Sequence, residues 1–174
     1  TIRELANEQN GYASPAVDGV TWGDVQISNG QPGQGTQTYM NYNPSFHMDE
    51  FPAPIVVLQH ELAHDYNFAT GTMFPGTYRG TAPDSGRVPN SERQAVGLPT
   101  SDRNGFDFPG DGTDELLFTN PDYLTENGMR TELGLPLRES YVLQAAGLEG
   151  GDGGAHTHGH EHGPDELINP ARYY

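Results

Sequence analysis

The stretch that decides the fold covers residues 54–70 and reads PIVVLQHELAHDYNFAT. It begins with proline, which suits the first turn of a helix, and Gly71 follows it as a stop, so the sequence predicts a helix over this range. Its apolar residues recur at helical spacing, and we expect them to face the core. They are Ile55, Leu58, Leu62, Tyr66 and Ala69. His60 and His64 lie four residues apart on another face, so both imidazoles point the same way.

The segment His60-Glu61-Leu62-Ala63-His64 has the pattern of a zinc site in a hydrolase. Two histidines one turn apart offer an ion two nitrogens from one rigid element. The glutamate after the first histidine can act as a general base that takes a proton from the attacking water. Because the pattern lies in mid-helix with apolar support, we interpret it as a zinc site and not as an ordinary amphipathic helix. The chain has no cysteine, so only His, Asp or Glu can bind a metal here.

A catalytic zinc ion needs a third protein ligand, and the sequence offers several candidates. Glu92 lies at the start of the next predicted helix and would give a site of two histidines and one glutamate. Asp84 and Asp114 follow Gly-Thr pairs and would give the aspzincin type of site, although their spacing departs from that pattern. We prefer Glu92 and keep the two aspartates as alternatives.

The other predicted elements are short. Residues 16–43 alternate apolar and polar side chains between glycine-rich breaks, which predicts two or three strands of a small sheet. Residues 1–10 favour a short helix. Two further helices are expected over 90–96 and 125–133, with Asn90 or Ser91 as the cap of the first and with Gly97 and Gly134 as their stops.

Length and composition favour one loop-rich domain. The 174 residues include 23 Gly and 14 Pro, and 33% are hydrophobic. We predict an α+β fold, a compact zincin-like metalloprotease domain over residues 1–148 with a small sheet packed on the HExxH helix. Residues 149–164 form a Gly/His-rich segment expected to be flexible, and residues 165–174 form a C-terminal tail.

The Gly/His-rich segment contains four histidines that alternate with other residues. They are His156, His158, His160 and His162. Such a tract can bind zinc, nickel or copper loosely, and its composition is equally compatible with an inert linker. Glycine on both sides makes it too flexible to preorganise a catalytic site.

The net charge of −16 argues against nucleic acid and anionic membranes as partners, since both repel an acidic surface. It is compatible with a basic substrate segment. No stretch is long and apolar enough to span a bilayer, and no N-terminal signal peptide is visible.

Several short motifs along the chain form one pattern. They are Tyr42-Asn43-Pro44, HELAH at 60–64 followed by Gly71, SERQAVGL at 91–98 and TENGMRTELGLPLRESY at 125–141. Together they resemble the NleD-like type III effector zinc metallopeptidases, over roughly residues 36–141. The resemblance implies a Zn²⁺-dependent endopeptidase that is secreted or injected by a bacterium as an effector or toxin. Its substrate would be a protein or peptide of the target cell.

The layout is also similar to the light chains of clostridial neurotoxins, which carry HELxH, a glutamate ligand and an Arg-x-x-Tyr pair. Arg138 and Tyr141 match that pair, and the resemblance implies that they stabilise the oxyanion. From the residues alone, a structural salt bridge and a half-buried phenol fit as well. Glu126 either orients a histidine ligand or is an ordinary acid at a helix start.

The resulting hypothesis is a zinc endopeptidase in which His60, His64 and Glu92 bind the metal. The catalytic residues would be Glu61, Arg138 and Tyr141. One alternative is a non-catalytic zinc-binding module with a relic HExxH, whose functional part is the histidine-rich segment. Another is an aspzincin-type peptidase with an aspartate as third ligand.

Overall fold

The protein is built from a small mixed sheet, one long helix and two short helices. The computed structural model describes residues 2–4, 11–16, 19–46, 53–101 and 120–142. In chain order the elements are β1 (Ile2–Glu4), β2 (Gly11–Pro15), β3 (Thr38–Tyr42), α1 (Pro54–Thr70), α2 (Asn90–Val96), a 3₁₀ turn (Asp122–Leu124) and α3 (Glu126–Glu132). The predicted α+β class, with a small sheet packed on the HExxH helix, is confirmed.

The sheet has the strand order β1-β3-β2, with β3 in the centre. β1 runs parallel to β3 and β2 runs antiparallel to it, so that Ile2 and Ala13 both pair with Met40. Helix α1 packs across β2 and β3. Met40 is fully buried, and the sheet therefore supplies one wall of the core on which α1 lies.

Two predictions for the N-terminal part are wrong. Residues 2–4 form β1 and not a helix, and residues 5–10 lie outside the described part. Of the strands expected in residues 16–43, the described part contains only β3. Residues 20 and 21 belong to no regular element, Trp22 begins a turn, and residues 25–27 make one isolated bridge, Gln26 to Met73. Their apolar side chains alternate because they pack around the end of α1, not because they belong to a ladder.

Helix α1 has the predicted bounds, since its ends are decided locally. Pro54 lies in the first turn, and Gly71 adopts a left-handed conformation with φ 70° while its N–H bonds to the Asn67 carbonyl. A side chain at Gly71 is also excluded by its neighbour, because a Cβ there would lie 2.2 Å from the Gly33 carbonyl oxygen. Two independent constraints therefore require glycine at this position, the left-handed backbone conformation and the close approach of Gly33.

The predicted core face of α1 is wrong. Ile55 is 41% exposed and Leu62 is 37% exposed, whereas Val56, Val57, Ala63 and Phe68 are buried. Apolar residues occur all around this helix, so their periodicity does not select one face. The buried faces are decided by the neighbours of α1, with the sheet on one side and α2 and α3 on another.

One core cluster lies at the end of α1. It contains Ala13, Val25, Phe68 and Met73, with Val20 and Trp22 packed against it. The rings of Trp22 and Phe68 meet edge to face at a centroid distance of 4.8 Å. Phe68 is fully buried and joins the sheet, the 20–27 segment and α1.

The predicted segments 149–164 and 165–174, and the four histidines of the first, lie outside the described residues. In the part that is described, no helix combines the length and apolarity needed to cross a membrane.

We expect Phe68→Ala to lower the free energy of unfolding by about 3–5 kcal/mol, because a buried aromatic side chain leaves a cavity behind. The matched control is Ile55→Ala on the same helix, which we expect to cost about 1 kcal/mol or less, since Ile55 is 41% exposed. Urea unfolding followed by circular dichroism measures both. Equal losses would show that the exposed face of α1 is in fact core.

Candidate metal and catalytic site

Three side chains from two helices converge on one point. His60 and His64 lie one turn apart on α1, and their Nε2 atoms are 3.2 Å apart. Glu92, in the first turn of α2, places its Oε2 atom 3.1 Å from the Nε2 of His60 and 3.3 Å from the Nε2 of His64. All three residues are buried, and among the described residues they are the group that could hold a metal ion.

Helix α2 has its predicted bounds, but its predicted cap is wrong. The residue before the helix is Pro89, and no side chain caps the first turn. Asn90 instead uses its side chain to accept from the Ser101 N–H and to donate to the Pro75 carbonyl. These bonds attach the start of α2 to loops on either side, which fixes the turn that carries Glu92.

A buried amide cluster joins α1 to α2. The side chains of Asn67 and Asn120 bond to each other in both directions, at 2.8 and 2.9 Å. Gln94 on α2 donates to the Thr72 carbonyl and to Asn120. Since these amides are buried and bonded, they hold the two ligand-bearing helices at a defined separation.

Glu126 is fully buried and bonds to His60 from the side opposite the cluster. It begins α3, where Thr125 caps the helix, and its Oε2 lies 3.1 Å from the Nδ1 of His60. Its other partners are Arg130 and Arg138, each at 2.8 Å. Glu126 is thus both an acid at a helix start and a partner of a histidine in the cluster.

The bond with Glu126 decides which nitrogen of His60 carries the proton. A carboxylate accepts, so Nδ1 is the donor, and in the neutral ring the lone pair lies on Nε2, directed at the cluster. Glu92 also presents a lone pair there. Two lone pairs 3.1 Å apart repel unless a cation or a proton lies between them.

The pKa shifts of the cluster residues also show that positive charge is favoured there. Burial alone would lower the pKa of His60, but the hydrogen bonds and charges of Glu126 and Glu92 outweigh it and raise the pKa to about 10. Burial would raise the pKa of Glu92, yet the imidazoles hold it well below its usual range. Burial would likewise raise the pKa of Glu126, but His60 and the two arginines lower it to about 2.

The spacing of the cluster fits a metal ion. A tetrahedral ion with bonds of about 2.0–2.2 Å requires ligand atoms about 3.3–3.6 Å apart. The three observed separations are 3.1, 3.2 and 3.3 Å, so they lie at the short end of this range or up to about 0.2 Å below it. The group is therefore compatible with a metal site of two nitrogens and one carboxylate oxygen.

Glu61, the residue after His60, is 3% exposed. Its Oε2 has no hydrogen-bond partner in the part of the chain that the structure describes. Burial raises its pKa, and the histidines of the cluster offset that only in part. A buried carboxylate with a free oxygen beside the cluster has the properties of a proton acceptor.

Arg138 and Tyr141 lie beside the same cluster. The ring of Tyr141 is 6.0 Å from the ring of His60, centroid to centroid, and Tyr141 is buried. Arg138 donates to Glu126 and to the Tyr141 carbonyl, and its guanidinium lies 5.0 Å from the centroid of the Tyr141 ring. The structure thus brings both residues to the site, with Arg138 acting as the bridge from Glu126 to Tyr141.

The two aspartates considered as third ligands differ in outcome. Asp84 is buried, but its carboxylate bonds to Arg93 and to the main chain of residues 141 and 142. It does not belong to the cluster of metal-ligand atoms found in the described residues. Asp114 lies outside the described residues.

A helix carrying HExxH, with a glutamate from a second helix completing the cluster, is the ligand arrangement of metallopeptidases. The chain matches the family Peptidase M91, described as "Effector protein", over residues 1–141. The chain belongs to this family, which confirms the predicted effector peptidase relationship and implies a protein substrate. No curated protein and no solved structure matches the chain.

We expect Glu126→Gln to weaken Zn²⁺ binding about 10- to 100-fold, because a neutral amide orients His60 less firmly and makes its ring a weaker base. The matched control is Glu132→Gln on the exposed side of α3, which should leave binding unchanged. Competition with a chromophoric chelator measures both affinities. Equal affinities for the two variants would mean that Glu126 pairs with Arg130 and Arg138 but does not contribute to metal binding through His60.

Proposed function

We propose that the protein is a zinc-dependent endopeptidase that acts on a protein substrate after delivery into a target cell. The observation that carries the proposal is the buried cluster of His60, His64 and Glu92 with Glu61 beside it. Membership of a peptidase family described as effector proteins supports both the reaction and the delivery.

Zinc is the metal that suits these ligands best. Two imidazole nitrogens and one carboxylate, with no thiolate, form a ligand set common in catalytic zinc sites. Three protein ligands leave a position for water or substrate. Zn²⁺ bound there would supply Lewis acidity, polarising the scissile carbonyl and making water a better nucleophile at neutral pH.

Glu61 is the general base of the proposed reaction. Its carboxylate takes a proton from water as the water oxygen forms a bond to the scissile carbonyl carbon. The same carboxyl then gives the proton to the nitrogen of the leaving amine as the C–N bond breaks. The raised pKa of Glu61 suits both steps, because it makes the group a stronger base than an exposed glutamate.

Tyr141 and Arg138 supply the electrostatic part of the mechanism. As the carbonyl becomes tetrahedral its oxygen gains negative charge, and a phenol donor and a nearby cation stabilise that charge. Arg138 is 7% exposed and is held by Glu126, so its charge is fixed in position. A fixed cation costs no reorganisation when the oxyanion forms.

The acidic character of the chain bears on the substrate. With a net charge of −16, the protein attracts basic segments and repels acidic ones over distances up to the Debye length. We therefore propose that the cleaved segment of the substrate is basic, and that the association rate falls as ionic strength rises.

Cleavage is tested with mass spectrometry of new peptide termini in a cell lysate incubated with the zinc-loaded protein. We expect Glu61→Gln to keep the metal and to abolish the new termini, because the base is lost and the ligands are not. Glu92→Ala should lose zinc as well as cleavage, since it removes a ligand. Metal content by atomic absorption separates the two variants.

A chelator should abolish cleavage by the wild-type protein, and added Zn²⁺ should restore it. Unchanged cleavage by Glu61→Gln would exclude the peptidase mechanism in favour of a non-catalytic zinc module. Full zinc retention by Glu92→Ala would exclude Glu92 as a ligand and favour Asp114 as the third ligand.

We expect Tyr141→Phe to lower kcat for a peptide spanning a cleavage site about 10²- to 10³-fold, since it removes one donor to the oxyanion. Zinc content and thermal stability should change little, because only a hydroxyl is removed. Tyr123→Phe is the matched control, as Tyr123 is 73% exposed. An unchanged kcat in Tyr141→Phe would assign Tyr141 to packing alone.

A further inference from the structure

Asp84 is a buried acid that the proposed mechanism does not use. Its side chain is fully buried in the loop before α2. A carboxylate at that depth is stable only when it is paired and hydrogen bonded. It has three donors, the Nη1 of Arg93, the N–H of Tyr141 at 2.8 Å and the N–H of Val142 at 2.9 Å.

The first donor ties Asp84 to the helix of the third cluster residue. Arg93 follows Glu92 directly on α2 and is itself buried. Its Nε donates to the Pro99 carbonyl at 2.8 Å, and its guanidinium lies 3.8 Å from the centroid of the Tyr78 ring. These contacts hold the guanidinium rigidly, so Asp84 is held in a constant position relative to α2.

The other two donors tie Asp84 to the segment that carries the phenol. The N–H of Tyr141 donates to Asp84, and the carbonyl of Tyr141 accepts from the Nη2 of Arg138. Arg138 in turn bonds to Glu126, which bonds to His60. The main chain at Tyr141 is thus held on both sides by charged groups. The bond to Asp84 connects it, through Arg93, to the helix of Glu92. The bond to Arg138 connects it, through Glu126, to His60.

We propose that Asp84 is a positioning residue that holds the Tyr141 phenol at the metal cluster by fixing the main chain of residues 141 and 142 to α2. The proposal rests on the proposed peptidase function. Asp84 does not belong to the cluster of metal-ligand atoms found in the described residues. It acts through Tyr141, because a phenol that donates to an oxyanion must be placed to within a fraction of an ångström.

The variant Asp84→Asn isolates this role in the full-length chain. Asparagine has the same shape, but it is neutral and its NH₂ group cannot accept from any of the three donors. We expect kcat for a peptide spanning a cleavage site to fall at least tenfold, with KM and zinc content little changed. Asp122→Asn is the matched control, because Asp122 is exposed.

A double-mutant cycle separates positioning from plain stabilisation. If Asp84 acts through the phenol, Asp84→Asn should lower kcat much less in a Tyr141→Phe background than in the wild type. The same fold loss in both backgrounds would overturn the proposal, since the effect would not pass through the phenol.

A measurement without substrate gives an independent readout. The chain has nine tyrosines, which can be replaced by 3-fluorotyrosine, and Tyr141→Phe assigns the Tyr141 signal in the ¹⁹F spectrum of the Co²⁺-loaded protein. We expect Asp84→Asn to change the paramagnetic shift of that signal and to leave most other tyrosine signals in place. An unchanged Tyr141 signal, or equal changes in all signals, would overturn the proposal.

If Asp84→Asn does not fold, Arg93→Lys takes its place, because it keeps the positive charge beside Asp84 but loses the planar guanidinium. The same selective change at Tyr141 is expected, and its absence counts against the proposal. A wild-type chain that takes up no Co²⁺ or Zn²⁺, or that cleaves nothing when loaded, would refute the proposed function itself. A wild type that binds and cleaves while Asp84→Asn behaves identically would refute only the positioning role.

Discussion

The carboxylate of Glu126 is fully buried and bonds to His60, Arg130 and Arg138. An ion at that depth is stable only with all its partners in place, so α3 cannot dock on α1 independently of these contacts. Its bond to Nδ1 fixes the orientation of the His60 ring. Through Arg138 it also reaches the main chain at Tyr141. The metal cluster and the segment beside it therefore share one buried anchor.

The buried arginines around this anchor do not by themselves balance the buried carboxylates. Among the described residues, four buried carboxylates surround the site, those of Glu61, Asp84, Glu92 and Glu126, while three arginines are buried with them, Arg93, Arg130 and Arg138. All eight cationic residues of the chain are arginines, and three of them are used here. The planar guanidinium suits this task, since it can bond to a carboxylate and a carbonyl together. A proton on His60, whose pKa is raised, or a divalent ion at the cluster would offset the remaining negative charge.

The bounds of α1, α2 and α3 were predictable to within a residue, whereas the helix expected over residues 1–10, the strands and the core face were predicted wrongly. Pro54 and Gly71 bound α1, and Gly97 ends α2, because caps and stops are local features. The strand prediction failed because residues 20–27 alternate in polarity for a different reason, the packing around Phe68. The exposed Ile55 shows that an apolar period does not identify the buried face when neighbours cover other faces of the helix.

The sequence by itself determined the helix, the pairing of His60 with His64 and the position of Glu61, since a period of 3.6 residues fixes all three. Only the tertiary structure decided which distant side chains complete the site. Glu92 lies 32 residues from His60 and Glu126 lies 66 residues from it, and both reach the ring within 3.1 Å. The tertiary structure also shows that Asp84, which the sequence offered as a candidate ligand, forms an ion pair with Arg93 instead. Local periodicity carries no information over such separations, because contacts between distant residues are decided by how the helices pack.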